Sequence, residues 1–119
     1  MVGGVVGGVV GGTVGGVVGG VENLTLKEYE VSEPPKLITR VDPSYPEQAR
    51  QQGLEGKVFL ELVVDEQGRV VDARILRSDN QLFERSARTA VMQWKYSPAH
   101  NNGRAVRTYK NVTVVFTLH

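Results

Sequence analysis

Lys57-Val58-Phe59-Leu60-Glu61-Leu62-Val63-Val64-Asp65 is the stretch on which the fold turns. Val58, Leu60, Leu62 and Val64 alternate onto one face, and Phe59 and Val63 make the opposite face partly apolar as well. A strand apolar on both faces belongs in the middle of a sheet. Asp65-Glu66-Gln67-Gly68 follows as a short hairpin loop whose glycine takes positive φ, and Arg69 to Ser78 returns with Val71, Ala73 and Ile75 alternating against Asp72 and Arg74. Two antiparallel strands result.

Upstream, Asp42-Pro43-Ser44-Tyr45-Pro46-Glu47 opens a helix, with Ser44 as N-cap, Glu47 closing a capping box and Pro46 in the first turn. The helix runs to about Gln52, Gly53 supplies the left-handed residue after it, and Gly56 releases the chain into the central strand. Downstream, Ser78 or Asp79 caps a longer helix in which Phe83, Ala87, Ala90, Val91 and Trp94 form one apolar stripe. Tyr96-Ser97-Pro98 ends that helix and Asn101-Asn102-Gly103 makes a turn. Val106 to Leu118 then forms a last strand, with Val112, Val114, Phe116 and Leu118 on one face and Thr113, Val115 and Thr117 on the other. The expected class is α+β, a three-stranded antiparallel sheet packed by two helices. The Lys57 strand lies centrally and the last strand on an edge, open to pairing with another chain.

Residues 2 to 20 are a different regime, Val-Val-Gly-Gly repeats broken by one Thr. Glycines four apart suggest a small-xxx-small membrane helix. Glycine and β-branched valine are poor helix formers, and neither Lys/Arg flanks nor an aromatic belt is present. There is no charged n-region or A-x-A cleavage site of a signal peptide. A flexible, elastin-like linker is the expectation, reaching roughly 25 Å as a coil and roughly 70 Å fully extended. Glu22 to Lys36, with four glutamates and a Pro34-Pro35 pair, reads as a polar hinge with a short strand around Leu24 to Val31. The division is therefore a linker over 1–33 and a folded domain over 34–119.

The chain has 119 residues, so two full domains do not fit. Fourteen Lys and Arg against thirteen Asp and Glu point to no nucleic-acid, polyanion or membrane-surface partner. Zero cysteines exclude a disulfide scaffold and a thiolate metal site or nucleophile. His100 and His119 are too far apart in sequence to suggest a metal or a base, and both read as surface residues. Asp65 and Glu66, at a hairpin tip, read as solvated carboxylates. Arg85, Arg88, Lys95, Arg104 and Arg107 with Trp94 and Tyr96 suggest a base-stacking surface, but Trp94 falls on the apolar stripe and core packing explains it better. No H-E-x-x-H, G-x-S-x-G or P-loop pattern occurs. The expectation is a protein without enzymatic activity, cofactor, metal or nucleic-acid partner.

One string of positions carries a resemblance. Pro43-x-Tyr45-Pro46-x-x-Ala49-x-x-x-Gly53-x-x-Gly56-x-Val58, then Asp65-x-x-Gly68-x-Val70, then Phe83, Ala87, Trp94-x-Tyr96-x-Pro98-Ala99, Gly103 and Val106 resembles the TonB C-terminal domain family, over about Pro35 to Leu118. The resemblance implies two helices on a three-stranded sheet and a periplasmic energy-transducer module. That module links an inner-membrane, proton-driven motor, ExbB and ExbD, to TonB-dependent outer-membrane transporters for cargo such as siderophore-bound iron. It implies that the transporter's TonB box adds as a strand beside the last strand. The contact residues would be Asp42, Pro43 and Tyr45 with the backbone of Asn111, Val112, Thr113, Val114, Val115, Phe116 and Thr117. Family members often carry Gln where Asp42 stands, which leaves side-chain specificity there open. Family members also begin with a membrane anchor and a Pro-rich spacer, so this sequence is expected to be a fragment of an inner-membrane-anchored protein, with ExbB and ExbD engaged by the missing N-terminal region. The same fold in an envelope scaffold or peptidoglycan-binding paralogue, and a homodimer paired through its own edge strands, are the alternatives.

Overall fold

A computed structural model describes residues 2–3, 6–7 and 24–118. Apart from two dipeptides, β1 (Val2–Gly3) and β2 (Val6–Gly7), which pair with each other, the expected Val/Gly linker lies outside the described residues, as does His119. The remaining elements are β3 (Thr25–Leu26), a 3-10 turn (Glu28–Glu30), β4 (Lys36–Thr39), α1 (Glu47–Gln51), β5 (Gly56–Val64), β6 (Val70–Ser78), a 3-10 turn (Gln81–Phe83), α2 (Glu84–Val91), β7 (Lys95–Ser97), β8 (Ala99–Asn101) and β9 (Arg104–Phe116).

The architecture is α+β, as the periodicity requires. β5 lies between β6 and β9, antiparallel to both, and Val58, Leu60, Leu62 and Val64 are fully buried. They meet Phe83, Ala87, Val91, Trp94, Val114 and Phe116 in one cluster. Each such side chain contributes about 1.5–3 kcal/mol on leaving water, so this row is the main source of cohesion.

α1 does not use the capping box expected at Ser44. Pro46 is its N-cap residue, in extended backbone, with no side-chain cap. The Ser44 carbonyl instead accepts from the Ser86 hydroxyl, which ties the helix entry to α2. Glu47 turns to Arg50 and Gln51. The other end follows expectation. Gly53 sits at φ 67°, and Gly53 N–H to Arg50 O with Leu54 N–H to Ala49 O at 2.9 Å forms a Schellman closure.

α2 is capped by neither Ser78 nor Asp79. Asn80 accepts from Leu82 N–H at 2.9 Å. Ser78 donates to Glu84, and Asp79 is occupied by β5. α2 also stops short of Trp94, because Trp94 Nε1 donates to Val41 O at 2.8 Å and Tyr96 enters β7 opposite Leu37. The buried stripe survives this correction, since Trp94 is buried beside Phe83, Ala87, Ala90 and Val91.

In β6 the expected inward Val71 is exposed and Val70 is buried instead. Register shifts between Val63 and Val64 and between Phe59 and Leu60 move the face by one residue at each point. The last strand begins earlier than expected, at Arg104, and ends at Phe116. It forms a hairpin with β8 across Asn102 and Gly103, at φ 56° and 82°, a two-residue turn whose twist suits paired strands.

The hairpin tip corrects the reading of Asp65. Its carboxylate is 2% exposed and accepts from Gln67 N–H, Arg69 N–H and Arg69 Nε at 2.9, 2.9 and 3.0 Å. Burial alone would raise its pKa, but the backbone donors of Arg69 and Gln67, joined by the Arg69 guanidinium, outweigh it and hold the group below the usual carboxylate range. Gly68, at φ 84°, accepts from Tyr96 N–H through its carbonyl, and a Cβ added to it would stand 1.8 Å from Tyr96 O.

Two outcomes follow from the tip. Gly68→Ala is expected to cost more than about 3 kcal/mol, because strain and a backbone collision combine. Gly103→Ala, with open space around its Cβ, should cost only about 1–2 kcal/mol; urea titrations of both variants make the comparison. Asp65→Asn should lower stability by about 1–3 kcal/mol at neutral pH. A depressed carboxyl stabilises the fold above its unfolded value of about 3.9 and loses that contribution as pH falls through the lower folded value, so the deficit should shrink towards about pH 3. Thermal unfolding at both pH values reads it.

Candidate partner-binding edge

The direction of the β9 backbone follows from β5. Lys57 accepts from Asp79 N–H and donates to Asp79 Oδ2, both at 2.9 Å, so its two backbone groups face β6. Asp65 N–H likewise goes to Arg69 O at the other end of the strand. β9 pairs with β5 without a shift from Gly56 opposite Phe116 to Val64 opposite Thr108. In an antiparallel ladder backbone groups alternate sides. Residues of β9 opposite Lys57, Phe59, Glu61 and Val63 therefore turn theirs away from β5. These are Val115, Thr113, Asn111 and Tyr109.

Among the described residues no strand covers that outer flank from Lys110 to Phe116. The expectation of an edge open along the whole last strand needs correction at its start. β8 takes Arg104 to Val106, and β3 runs parallel to β9 with Thr25 opposite Arg107 and Leu26 opposite Thr108. The buried Thr108 hydroxyl donates to Leu26 O at 2.8 Å, Lys110 Nζ meets Glu28 Oε2 at 2.8 Å, and Lys27 Nζ lies 4.8 Å from the centre of the Tyr109 ring. Glu28 also helps push the Tyr96 hydroxyl up to about 12, after burial, the larger cause. At the far end Leu118 N–H is taken by Glu55 at 2.7 Å.

Side chains on the two faces of β9 divide cleanly. Val114 and Phe116 are buried and Val112 half-buried, while Asn111, Thr113 and Val115 are exposed, Val115 at 47%, and Thr117 lies just past the strand. A peptide on this edge would meet backbone between alternating core-facing and solvent-facing side chains.

The upstream candidates are not assembled equally. The Tyr45 ring is half-buried, edge-on to both Phe83 and Phe116 at 5.7 Å, and its hydroxyl donates to Leu54 O. Burial, then the Glu55 charge, raises its pKa. Tyr45 thus reaches the end of β9 but is held by the core. Pro43 is half-buried, and Asp42, 89% exposed, faces Arg40 at 3.4 Å. Nothing in the sequence marked Glu28, Thr108 and Lys110 as the residues that bound the flank, apart from the short strand read around Leu24 to Val31.

The remaining candidate chemistry stays apart. His100 exchanges backbone hydrogen bonds with Glu33 at 2.9 Å in both directions, with Nδ1 3.5 Å from the Glu33 carboxylate. No cluster of three or more His, Asp or Glu that would hold a metal exists among the described residues.

The family model described as Gram-negative bacterial TonB protein C-terminal matches residues 41–118. The chain belongs to this family. Protein TonB of Vibrio cholerae is 32% identical over 82% of the chain and 40% of its own length, and Protein TonB of Klebsiella aerogenes is 40% identical over 52% of the chain and 26% of its own length. The chain thus spans less than half of these TonB relatives. Among solved structures, the solution structure of the Pseudomonas aeruginosa TonB CTD is similar at a TM-score of 0.60 and 27% identity, covering 71% of the chain and 87% of its own. The tonb2 protein of Vibrio anguillarum reaches 0.53 at 34% identity, over 76% and 84%. The α+β fold is thus that of TonB C-terminal domains.

The Tyr-Pro signature of this TonB-family chain has a structural duty that can be measured. Tyr45→Phe should cost about 1–2 kcal/mol by leaving the Leu54 carbonyl unpaired, and Tyr45→Ala about 3–5 kcal/mol. A Tyr45 that served a partner alone would leave chemical denaturation unchanged in both.

Proposed function

We propose that this domain binds the TonB box of outer-membrane active transporters by strand addition along β9, and passes on force from an inner-membrane proton-driven motor. What supports this most directly is the outer flank of β9, where the backbone groups of Asn111, Thr113 and Val115 point away from β5 with no covering strand among the described residues. Family membership supports the transducer role, with the domain in the periplasm and the full-length protein anchored in the inner membrane, where ExbB and ExbD would engage a region preceding this one. No enzymatic step is part of this function.

The energetics suit a reversible grip. Each added ladder bond contributes about 0.5–1.5 kcal/mol net, whereas ordering the peptide costs about 1–2 kcal/mol per residue. Affinity therefore depends on side-chain contacts, for which the exposed Val115 and the neighbourhood of Tyr45 and Pro43 are the nearest surfaces. Backbone recognition tolerates sequence, so one module serves many transporters. A pull along the strand loads the bonds together in shear. The β5–β9 ladder, continuous from Gly56 to Val64, is loaded in the same direction and is anchored by the core.

A synthetic TonB box peptide should shift the amide resonances of Asn111 to Thr117. Thr113→Pro removes an outward N–H and should keep the fold while weakening the peptide at least about tenfold. Val114→Pro removes a bond to β5 and should unfold the domain. Unchanged resonances from 111 to 117, with normal binding by Thr113→Pro, would refute the site. Sedimentation should show no strand-paired dimer competing for the flank at the concentrations used.

A further inference from the structure

We propose that residues 25–33 act as a displaceable strap, sharing the outer flank of β9 with the incoming peptide so that its release lengthens the grip; this rests on the binding site proposed above. The strap occupies the same flank. Thr25 and Leu26 pair with Arg107 and Thr108, and the chain then turns off the sheet through the 3-10 turn Glu28–Glu30, where the uncovered flank begins. An added strand on Lys110 to Phe116 lies in line with β3, and its extension towards Arg107 is blocked only while β3 is in place.

Polar and few attachments hold the strap. They are the pairing of two residues, the Thr108 hydroxyl on Leu26 O, the Lys110–Glu28 pair, Lys27 over the Tyr109 ring, the Ser32 hydroxyl on His100 O at 3.0 Å, the Asn102 N–H on Ser32 Oγ at 3.1 Å and the two bonds between Glu33 and His100. None of residues 24–33 is buried, and Tyr29 is almost fully exposed. A segment with this little apolar burial opens locally at a small fraction of the global stability.

Arg107, opposite Thr25, has its Nε buried with no hydrogen-bond partner among the described residues. A buried unpaired donor is costly. With so few contacts the strap is poised between two arrangements, and peptide binding to Arg107 favours the open one by its differential contacts.

The direction of attachment gives the strap a mechanical input. β3 runs parallel to β9, so a pull on the chain entering at Thr25, directed away from the Phe116 end, acts along the strand axis. Tension applied through that chain while a peptide holds the flank loads β3 before it reaches the core. Pulling then frees the outward backbone of Arg107 for further pairing, and the grip tightens under load.

The test uses the full chain and two extended peptides from one TonB box, about five residues matched to Asn111–Val115 and about nine residues long enough to reach Arg107. Thr25→Cys with Arg107→Cys introduces the chain's two cysteines at a paired position, and oxidation locks the strap. Locking should weaken the long peptide at least about fivefold relative to the reduced form and leave the short one unchanged. Glu28→Gln should strengthen the long peptide alone. Hydrogen exchange of the natural sequence should give Leu26 and Arg107 far less protection than Leu60 and Leu62. Equal responses of both peptides to locking, or core-level protection at Leu26, would overturn the strap while sparing the binding site. Failure of both peptides in the reduced protein and in Glu28→Gln would overturn both.

Discussion

The row Val58, Leu60, Leu62 and Val64 is the constraint from which the rest of the molecule follows. Burying four alternate residues completely requires a layer over one face and a paired strand on each side, and the chain supplies α2, β6 and β9 for these duties. Once β5 has both neighbours, β9 is compelled to be an outer strand, with every second backbone unit turned outward. The open edge is thus the geometric remainder of how the core is built. Tyr45 joins the two, since its ring seals the core at Phe83 and Phe116 at the end of that same strand.

The opposite end of the sheet is held by polar contacts rather than apolar mass. Asp65 satisfies three donors from the loop it begins, and Gly68 brings the tip close enough for Tyr96 to bond to it. Through Tyr96 the tip fixes β7, and through β7 it fixes β4 and the chain leading to Val41, whose carbonyl takes the Trp94 indole. This pinned path delivers Tyr45 to Phe116. Force entering at either end of β9 therefore meets a body tied at both ends of its central strand.

Between these ends the outer flank has two regimes. Among the described residues it is covered by the chain's own strands from Arg104 to Tyr109 and open from Lys110 to Phe116, with the Glu28–Lys110 pair at the boundary. Natural sheets blunt their edges against indiscriminate pairing. Here a charged pair and a short parallel strand do so while leaving enough length for a partner.

Apolar alternation in β5, the stripe ending at Trp94, and the turn chemistry of Gly53, Gly68 and Asn102-Gly103 were legible in the amino-acid order, because each is set by spacing or by a local φ requirement. Those signals were enough for the α+β class, the central position of β5 and an outward last strand, and the Tyr-Pro and Trp-x-Tyr-x-Pro-Ala positions were enough for the family. What only the tertiary structure decided is everything that rests on long-range polar partners. Ser44, Ser78 and Asp79 look like caps locally but are claimed by Ser86, Glu84 and Lys57. Asp65 looks solvated until Arg69 and the loop enclose it, and Val71 looks inward until the strand slips by one residue. The covering of Arg107 and Thr108 by Thr25 and Leu26 joins segments some eighty residues apart, and no local period records which flank a two-residue strand will choose.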